Sequence, residues 1–411
     1  MTRLRIKHFG PIVQGMQGND GWLDFKRVTV FIGNQGSGKS TLAKLFSTFS
    51  WMEKALVRGD YPQKWFERKG RLSGQLLPYH RLEHYLHTAP TEETKIEYEG
   101  SAYSFSYSDG FLSIQKKPGE NYPLPQVMYV PAERNFIAYV RHPRELKLSS
   151  EALKEFLTEF EKAKSNMSGS IKLPINETEL EYDKLNDLLN LKGRDHKLRL
   201  TDASSGFQSL VPVYLVSQYL ASTVKSKSQE SMSAEELNRF KKWADAIFKD
   251  DNLTEEQQRA ALSALSARFN KTAFLNIVEE PEQNLFPSSQ WEMLKSLLQF
   301  NEQGPNNQLI LTTHSPYIVS YLSLAVQAHE LLAKLLEQDR QDLIDKLVQI
   351  VPLHAMLPPK DLAIYQSNEL DGTLSELPNF EGIPSDSNVL NTYLRKGNEM
   401  FDQLLDLEEA I

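Results

Sequence analysis

The sequence predicts an α/β protein, and three observations carry that expectation. Four short apolar runs rich in β-branched residues recur along the chain: Val28 to Ile32, Val127 to Val130, Ala273 to Val278 and Gln308 to Thr312. Each has the pattern of a strand buried on both faces. Helix-period segments separate these runs, as parallel strands require. The first run also passes directly into Gly33-Asn34-Gln35-Gly36-Ser37-Gly38-Lys39-Ser40, with a helix expected from about Thr41.

At 411 residues the chain is long enough for one large α/β domain with insertions, or for two to three lobes. Apolar residues make up 40% and charged residues 24%, the balance of an ordinary globular protein. The net charge of −8 gives no global basic field, so any nucleic-acid contact would need a local patch. The absence of cysteine excludes disulfides and cysteine-ligated zinc. The opening MTRLRIKHFGPI lacks a signal-type apolar stretch, and no run reaches the ~18 apolar residues of a membrane span. A soluble, cytoplasmic protein with no membrane partner is the expectation.

The elements follow in order. Leu4 to Phe9 and Trp22 to Phe25 alternate as strands, joined through turn-rich Gly18-Asn19-Asp20-Gly21. Residues 51 to 94 read as helical and irregular. Lys95 to Gln115 reads as two strands around Asp109-Gly110, a two-residue hairpin signal. Arg144 to Met167 has a charged helical pattern with a cap at Ser149-Ser150-Glu151. Glu179 to Leu191 reads as a second helix before a strand at Lys197 to Leu200. Ser209 to Ala221 is an apolar helix, and Lys225 to Asn270 a charged helical insertion. The tail from Leu322 reads as helical, with a small strand pair around Ala363 to Leu377. The expected segments are 1–50 with the glycine-rich turn, 51–125 as a hairpin-bearing lobe, and 126–222 with a helical lobe. The remainder divides into 223–271 as the insertion, 272–325 as further core and 326–411 as a helical region.

Gly33 to Ser40 matches G-x-x-x-x-G-K-[ST] in the required strand-before, helix-after context. Its glycines let backbone N–H groups of Gly33 to Thr41 turn inward as an anion nest, and the helix N-terminus favours phosphate there. Lys39 neutralises the β/γ-phosphates and the Ser40 hydroxyl sits on Mg²⁺, so ATP and Mg²⁺ are the expected cofactors. A second motif, Phe274 to Pro281, brings Glu279 and Glu280 to the carboxyl end of a buried strand, where open α/β sheets bind ligands. Glu279 would hold the Mg²⁺ through water, and Glu280 would orient or deprotonate the attacking water. Ser204-Ser205-Gly206-Phe207-Gln208 opens a helix; it is either a simple N-cap or another anion site. His314, in Thr312-Thr313-His314-Ser315-Pro316, stands at the same sheet edge.

These four motifs in this order resemble the ABC-type ATPase heads of the OLD, RecF and SMC group (AAA_15/AAA_21-like). The opening L-R-I-K-H-F-G-P-I resembles the start of RecF-like and SMC-like heads. The resemblance implies an ABC-type P-loop NTPase head with a mixed β-sheet, a β-hairpin lobe and helical insertions. It places Ser205, Gly206 and Gln208 on the signature motif, with Phe207 in place of the second glycine. It places Glu279 and Glu280 on the Walker B carboxylates, and His314 on the switch histidine. Glu279 to Pro287, E-E-P-E-x-x-L-x-P, looks like the OLD-like variant. No glutamine stands at the usual Q-loop position, where Glu133 or Arg134 would substitute. ATP hydrolysis between two copies is implied, with Ser205, Gly206 and Gln208 acting in trans.

Two functions are open at this stage. The chain resembles the Septu-type, PARIS-type and retron-associated ATPases of bacterial anti-phage systems. That implies a homo-oligomer controlling a separate nuclease or toxin effector. The alternative is a RecF/SMC-like ATPase of DNA repair or genome maintenance, for which Arg68-Lys69-Gly70-Arg71 and Lys225 to Lys227 are compatible basic stretches. His80, His84 and His87 would share one face of a helix, as a metal or nuclease feature or, more plainly, a solvated surface. No nuclease constellation is recognised.

Overall fold

The computed structural model describes residues 2–87, 93–118, 122–140, 147–194, 196–227, 234–250, 253–268 and 272–409. A seven-stranded mixed sheet runs in the order Gly15–Met16, Thr373–Glu376, Leu362–Ser367, Val28–Gly33, Gln308–Thr313, Ala273–Glu279 and Pro125–Val130. The last five are mutually parallel, and Thr373–Glu376 runs against Leu362–Ser367. All four buried runs predicted from sequence are therefore in one sheet. Leu362–Ser367, expected only as a member of a small pair, lies directly beside the P-loop strand.

Strand alternation divides the interior into two cores. Val28, Val30 and Ile32 face a core shared with helices Ser205–Lys227, Pro287–Glu302 and Pro316–Glu337. Phe31 faces the opposite core, with Leu42, Phe46, Phe49 and Met52 of helix Lys39–Arg58. The P-loop helix and the signature helix thus cover opposite faces of the sheet.

A second, five-stranded antiparallel sheet has the order Leu23–Phe25, Thr2–Lys7, Lys95–Glu99, Tyr103–Ser108 and Phe111–Lys116. Asp109 and Gly110, both at positive φ (53° and 75°), make the expected tight turn. Strands Thr2–Lys7 and Leu23–Phe25 therefore belong with the hairpin, while Gly15–Met16 between them joins the seven-stranded sheet, and helix Lys39–Arg58 is continuous across residue 50. A boundary at 50/51 would cut through that helix.

Lys95 to Gln115 holds three strands rather than the two expected, residues 100–102 turning the chain before the Asp109-Gly110 turn does, and a second predicted element is wrong. Glu179 to Leu191 is not a helix but a hairpin, Glu179–Asp183 and Leu188–Lys192, within a four-stranded antiparallel sheet. The Asp183 side chain accepts from the backbone N–H of Leu185 (3.0 Å) and Asn186 (3.2 Å), which builds the turn. Leu180, Leu189 and Leu191 are buried at period two, a pattern masked by Glu179, Glu181 and Lys184, residue types that favour helix over strand. The cap at Ser150 holds: its hydroxyl accepts from Leu153 N–H at 3.3 Å and opens helix Glu151–Ser165. The charged insertion contains helices Ala234–Phe248 and Glu255–Arg268. No described helix is long and apolar enough to cross a membrane.

Candidate active site

Three parallel strands end side by side and deliver the site. The P-loop strand ends at Gly33, Ala273–Glu279 at the paired glutamates, and Gln308–Thr313 just before His314. Gly33, Gly36 and Gly38 take φ values of 149°, 75° and 99°, where a side chain is strained. A Cβ on Gly33 would also collide with Ser367 of the neighbouring strand. Ser367 stands at this turn, sharing a 2.6 Å hydrogen bond with the Ser37 hydroxyl.

Lys39 is 5% exposed and donates to the carbonyls of Gly33 (3.0 Å) and Asn34 (2.7 Å). Burial lowers its pKa to about 8, while Glu280, Glu282, Glu369 and Glu279 pull the other way. It therefore still carries its charge at neutral pH.

Glu279 and Glu280 are adjacent in sequence but differ in environment. Glu279 is 4% exposed; one carboxylate oxygen accepts from Ala132 N–H at 3.2 Å and the other, Oε1, is buried without a hydrogen-bond partner. The Tyr129 hydroxyl is buried near this carboxylate, and burial first, then the Glu279 charge, pushes its pKa well up. An orphaned buried carboxylate oxygen fits a hydrated divalent cation. The Ser40 hydroxyl also has no hydrogen-bond partner among the described residues, so the two groups suit Mg²⁺.

Glu280 turns outward through a positive φ of 44°, with its N–H donating to Thr312 carbonyl at 2.9 Å. Its carboxylate lies 3.5 Å from His314 Nε2. Burial and then Glu279 raise the Glu280 pKa, whereas burial and then Lys39 lower that of His314. The two groups thus move toward each other's range, and the imidazole is neutral at pH 7.

Sequence reasoning missed the role of Glu282. Its carboxylate accepts from the Thr313 hydroxyl (2.8 Å) and from His314 N–H (2.7 Å), fixing the histidine's backbone beside Glu280. The run E-E-P-E carried the signal, but the two leading glutamates drew the reading.

Arg134 has a different place from the nucleotide-facing one that a Q-loop substitute implies. It is 0% exposed, and its guanidinium donates to the carbonyls of Ser209 (3.1 Å), Glu279 (2.6 Å), Glu280 (2.6 Å) and Pro131 (3.4 Å). It ties the signature helix to the end of the glutamate strand. Burial lowers its pKa to about 10, so it stays charged. Glu133 is exposed on the same 3₁₀ turn, Ala132–Arg134.

The signature residues also divide. Ser205 is exposed at the helix start, and Gly206 is half-buried against the Asn284 carbonyl. Gln208 points inward instead: it is 8% exposed and its amide donates to the carbonyls of Thr201 (3.0 Å) and Leu200 (3.4 Å). A trans contact by Gln208 is thereby corrected; it braces the turn that presents Ser205. The three histidines do not share a face either. Arg81, at φ 59°, separates two short 3₁₀ turns, burying His80 against Tyr129 while His84 faces solvent. No metal-type cluster of His, Cys, Asp and Glu occurs among the described residues.

Residues 253–319, which include Glu279, Glu280 and His314, match the model of the AAA ATPase domain family AAA_15. No curated protein matches the chain. Among solved structures, the SMC head domain from Thermotoga maritima is similar at 12% identity and a TM-score of 0.36, covering 92% of this chain and 98% of that one. An SMC head domain with an extended coiled coil, bound to the C-terminal domain of ScpA and derived from Pyrococcus furiosus, has 10% identity and a TM-score of 0.35. It covers 98% of this chain and 100% of that one. A dimeric ATP-binding cassette bound to ADP and Pi has 12% identity and a TM-score of 0.25, with 92% and 100% covered.

Proposed function

We propose that the chain is an ATPase that binds Mg²⁺–ATP at the P-loop edge and hydrolyses it when a second copy completes the site. The meeting of Glu280 and His314 at 3.5 Å, above the turn that carries Lys39, is the observation that carries this reading. ATP phosphates would recruit Lys39 away from the carbonyls of Gly33 and Asn34 and take up the N–H groups of the glycine turn. Bound Mg²⁺ would supply charge neutralisation between the phosphates, held by Ser40 and, through water, by Glu279. Glu280, with its raised pKa, would orient the attacking water and accept its proton, and neutral His314 would hold Glu280 in place.

Ser205 and Gly206 of the second copy would then cover the γ-phosphate. The support is the exposed position of Ser205, with half-buried Gly206 beside it, on a helix that covers the sheet face opposite the P-loop helix. Turnover per subunit is expected to rise with protein concentration and level off once dimers form. Full turnover by verified monomers would overturn the composite site.

We read the biological role as the ATPase subunit of a bacterial anti-phage complex, governing a separate nuclease or toxin. The E-E-P-E-x-x-L-x-P resemblance supports it. Of the two basic stretches weighed for the DNA-clamp reading, the first keeps Arg68 and Lys69 exposed, with Arg71 buried against the Trp65 ring at 4.2 Å. The side chains of the other, Lys225 to Lys227, lie outside the described residues. Co-purification of the protein from its host with a neighbouring gene product is the expected result. An ATP-dependent, salt-sensitive shift of duplex DNA by the protein alone would favour the clamp instead.

A further inference from the structure

Three buried polar atoms beside the glutamate strand have no hydrogen-bond partner among the described residues: His80 Nδ1, the Tyr129 hydroxyl and Glu279 Oε1. Their residues are 4%, 3% and 4% exposed. Buried polar groups are ordinarily paired, and a buried tyrosine usually finds a partner for its hydroxyl. Three such atoms in one neighbourhood ask for a reason.

Strand register brings two of them together. Tyr129 stands opposite Ile277 across the parallel pair, and Glu279 lies two residues further along that strand. Alternate residues share a face of a sheet, so Tyr129 and Glu279 project on the same side, toward the P-loop helix. The hydroxyl is near enough for the Glu279 charge to act on it. The third atom belongs to the ring packed on Tyr129, the centroids of His80 and Tyr129 being 4.6 Å apart.

His80 is itself held in place. It closes the 3₁₀ turn Leu77–His80 and meets the Tyr79 ring edge-on at 4.7 Å. Tyr79 is pinned by a hydrogen bond to Glu155 and by Arg259, which lies 4.7 Å over its ring. Arg259 also donates to the Gln75 carbonyl at 3.3 Å.

Glu279, by contrast, is held on one side only. Ala132 N–H fixes one carboxylate oxygen at 3.2 Å, and Arg134 fixes the backbone carbonyl of the same residue at 2.6 Å. A carboxylate held at both oxygens presents its remaining lone pairs in one direction, which is how the outer partners of a metal ligand act. Phenylalanine at 129 would fill the same space with no hydroxyl to satisfy, so packing alone does not account for the tyrosine.

We propose that Tyr129, steadied by His80, is a positioning residue for Glu279. With Mg²⁺–ATP at the P-loop edge, its hydroxyl donates to Glu279 Oε1 while His80 Nδ1–H donates to the Tyr129 oxygen. Both contacts rest on the reading of this edge as a Mg²⁺–ATP site.

Tyr129→Phe removes one oxygen and keeps the ring against His80. In equilibrium binding of ATP, the Mg²⁺ concentration that gives half of the metal-dependent tightening should rise about tenfold. ATP binding in EDTA should stay at the wild-type level, and the melting temperature of the nucleotide-free protein should stay level or rise. His80→Phe should move the Mg²⁺ dependence the same way by a smaller factor, and the double variant should be no worse than Tyr129→Phe alone. Losses that add in the double variant would overturn the part given to His80. Wild-type Mg²⁺ dependence in Tyr129→Phe would overturn the positioning role and leave the ATPase reading standing, whatever the melting temperature. Wild-type protein that binds ATP equally with and without Mg²⁺ would overturn that reading and the positioning role with it.

Discussion

The P-loop edge and the signature turn stand in contrast. At the P-loop edge the polar groups mostly satisfy one another within the chain. Lys39 is held by two loop carbonyls, Ser37 by Ser367, and Glu282 by Thr313 and His314. At the signature turn, Gln208 is spent inside while Ser204 and Ser205 face solvent with no side-chain hydrogen bond among the described residues. One region is preorganised by its own chain, and the other is held rigid but left unmatched. A protein that completes its chemistry only on assembly would be built in this way.

The sharpest way to break the comparison is at Glu280. Glu280→Gln should keep nucleotide binding and lose about 10²- to 10⁴-fold in turnover, read by steady-state phosphate release. Comparable turnover in that variant would remove Glu280 from the chemistry. A mixing experiment tests the contrast itself. Lys39→Ala and Ser205→Arg should each be inactive alone, yet an equimolar mixture should recover about a quarter to a half of wild-type turnover through mixed sites. No recovery would mean that the two regions do not meet across copies. Arg134→Met should leave several buried carbonyls unpaired and cost about 2–4 kcal/mol, measured by chemical denaturation.

The smallest effect concerns pH. Free Lys39 loses its charge as pH rises through about 8, so ATP affinity should fall by up to about tenfold per unit above that value. The sign for stability is opposite. Burying the charged ammonium is a penalty present below about 8 and relieved as pH rises toward 10.5, so the nucleotide-free fold gains where binding is lost. Titration calorimetry and thermal melts over this range check both directions.

Much of this was legible in the sequence where a residue's role is local. Gly33 to Ser40, Glu279 and Glu280 each follow from a strand ending in a fixed motif, and the Asp109-Gly110 turn from two residues. What was hidden depends on contacts distant in sequence. Arg134 had no signal distinguishing a nucleotide contact from a backbone clamp, because its partners lie 75 and 145 positions away. Gln208 sits one helical turn past an exposed serine, and only the fold reveals that it faces inward. Ser367 and Glu369 reach the P-loop through strand pairing alone. The Glu179 hairpin was missed for a local reason, since alternating Glu and Leu satisfy helix propensity and strand period alike.

The helix that starts at Lys39 has a far end as well as a near one. Some 14 residues and about 21 Å on, Glu53 is sunk into the antiparallel sheet, accepting from the Tyr98 hydroxyl (3.0 Å) and the Ala102 and Tyr103 N–H groups (2.6 and 3.0 Å). The helix is therefore a stiff rod riveted near one end to the outer sheet and carrying Lys39 at the other. Whatever grips that sheet has a handle on Lys39, and force applied there reaches the glycine-rich turn without any loop having to move.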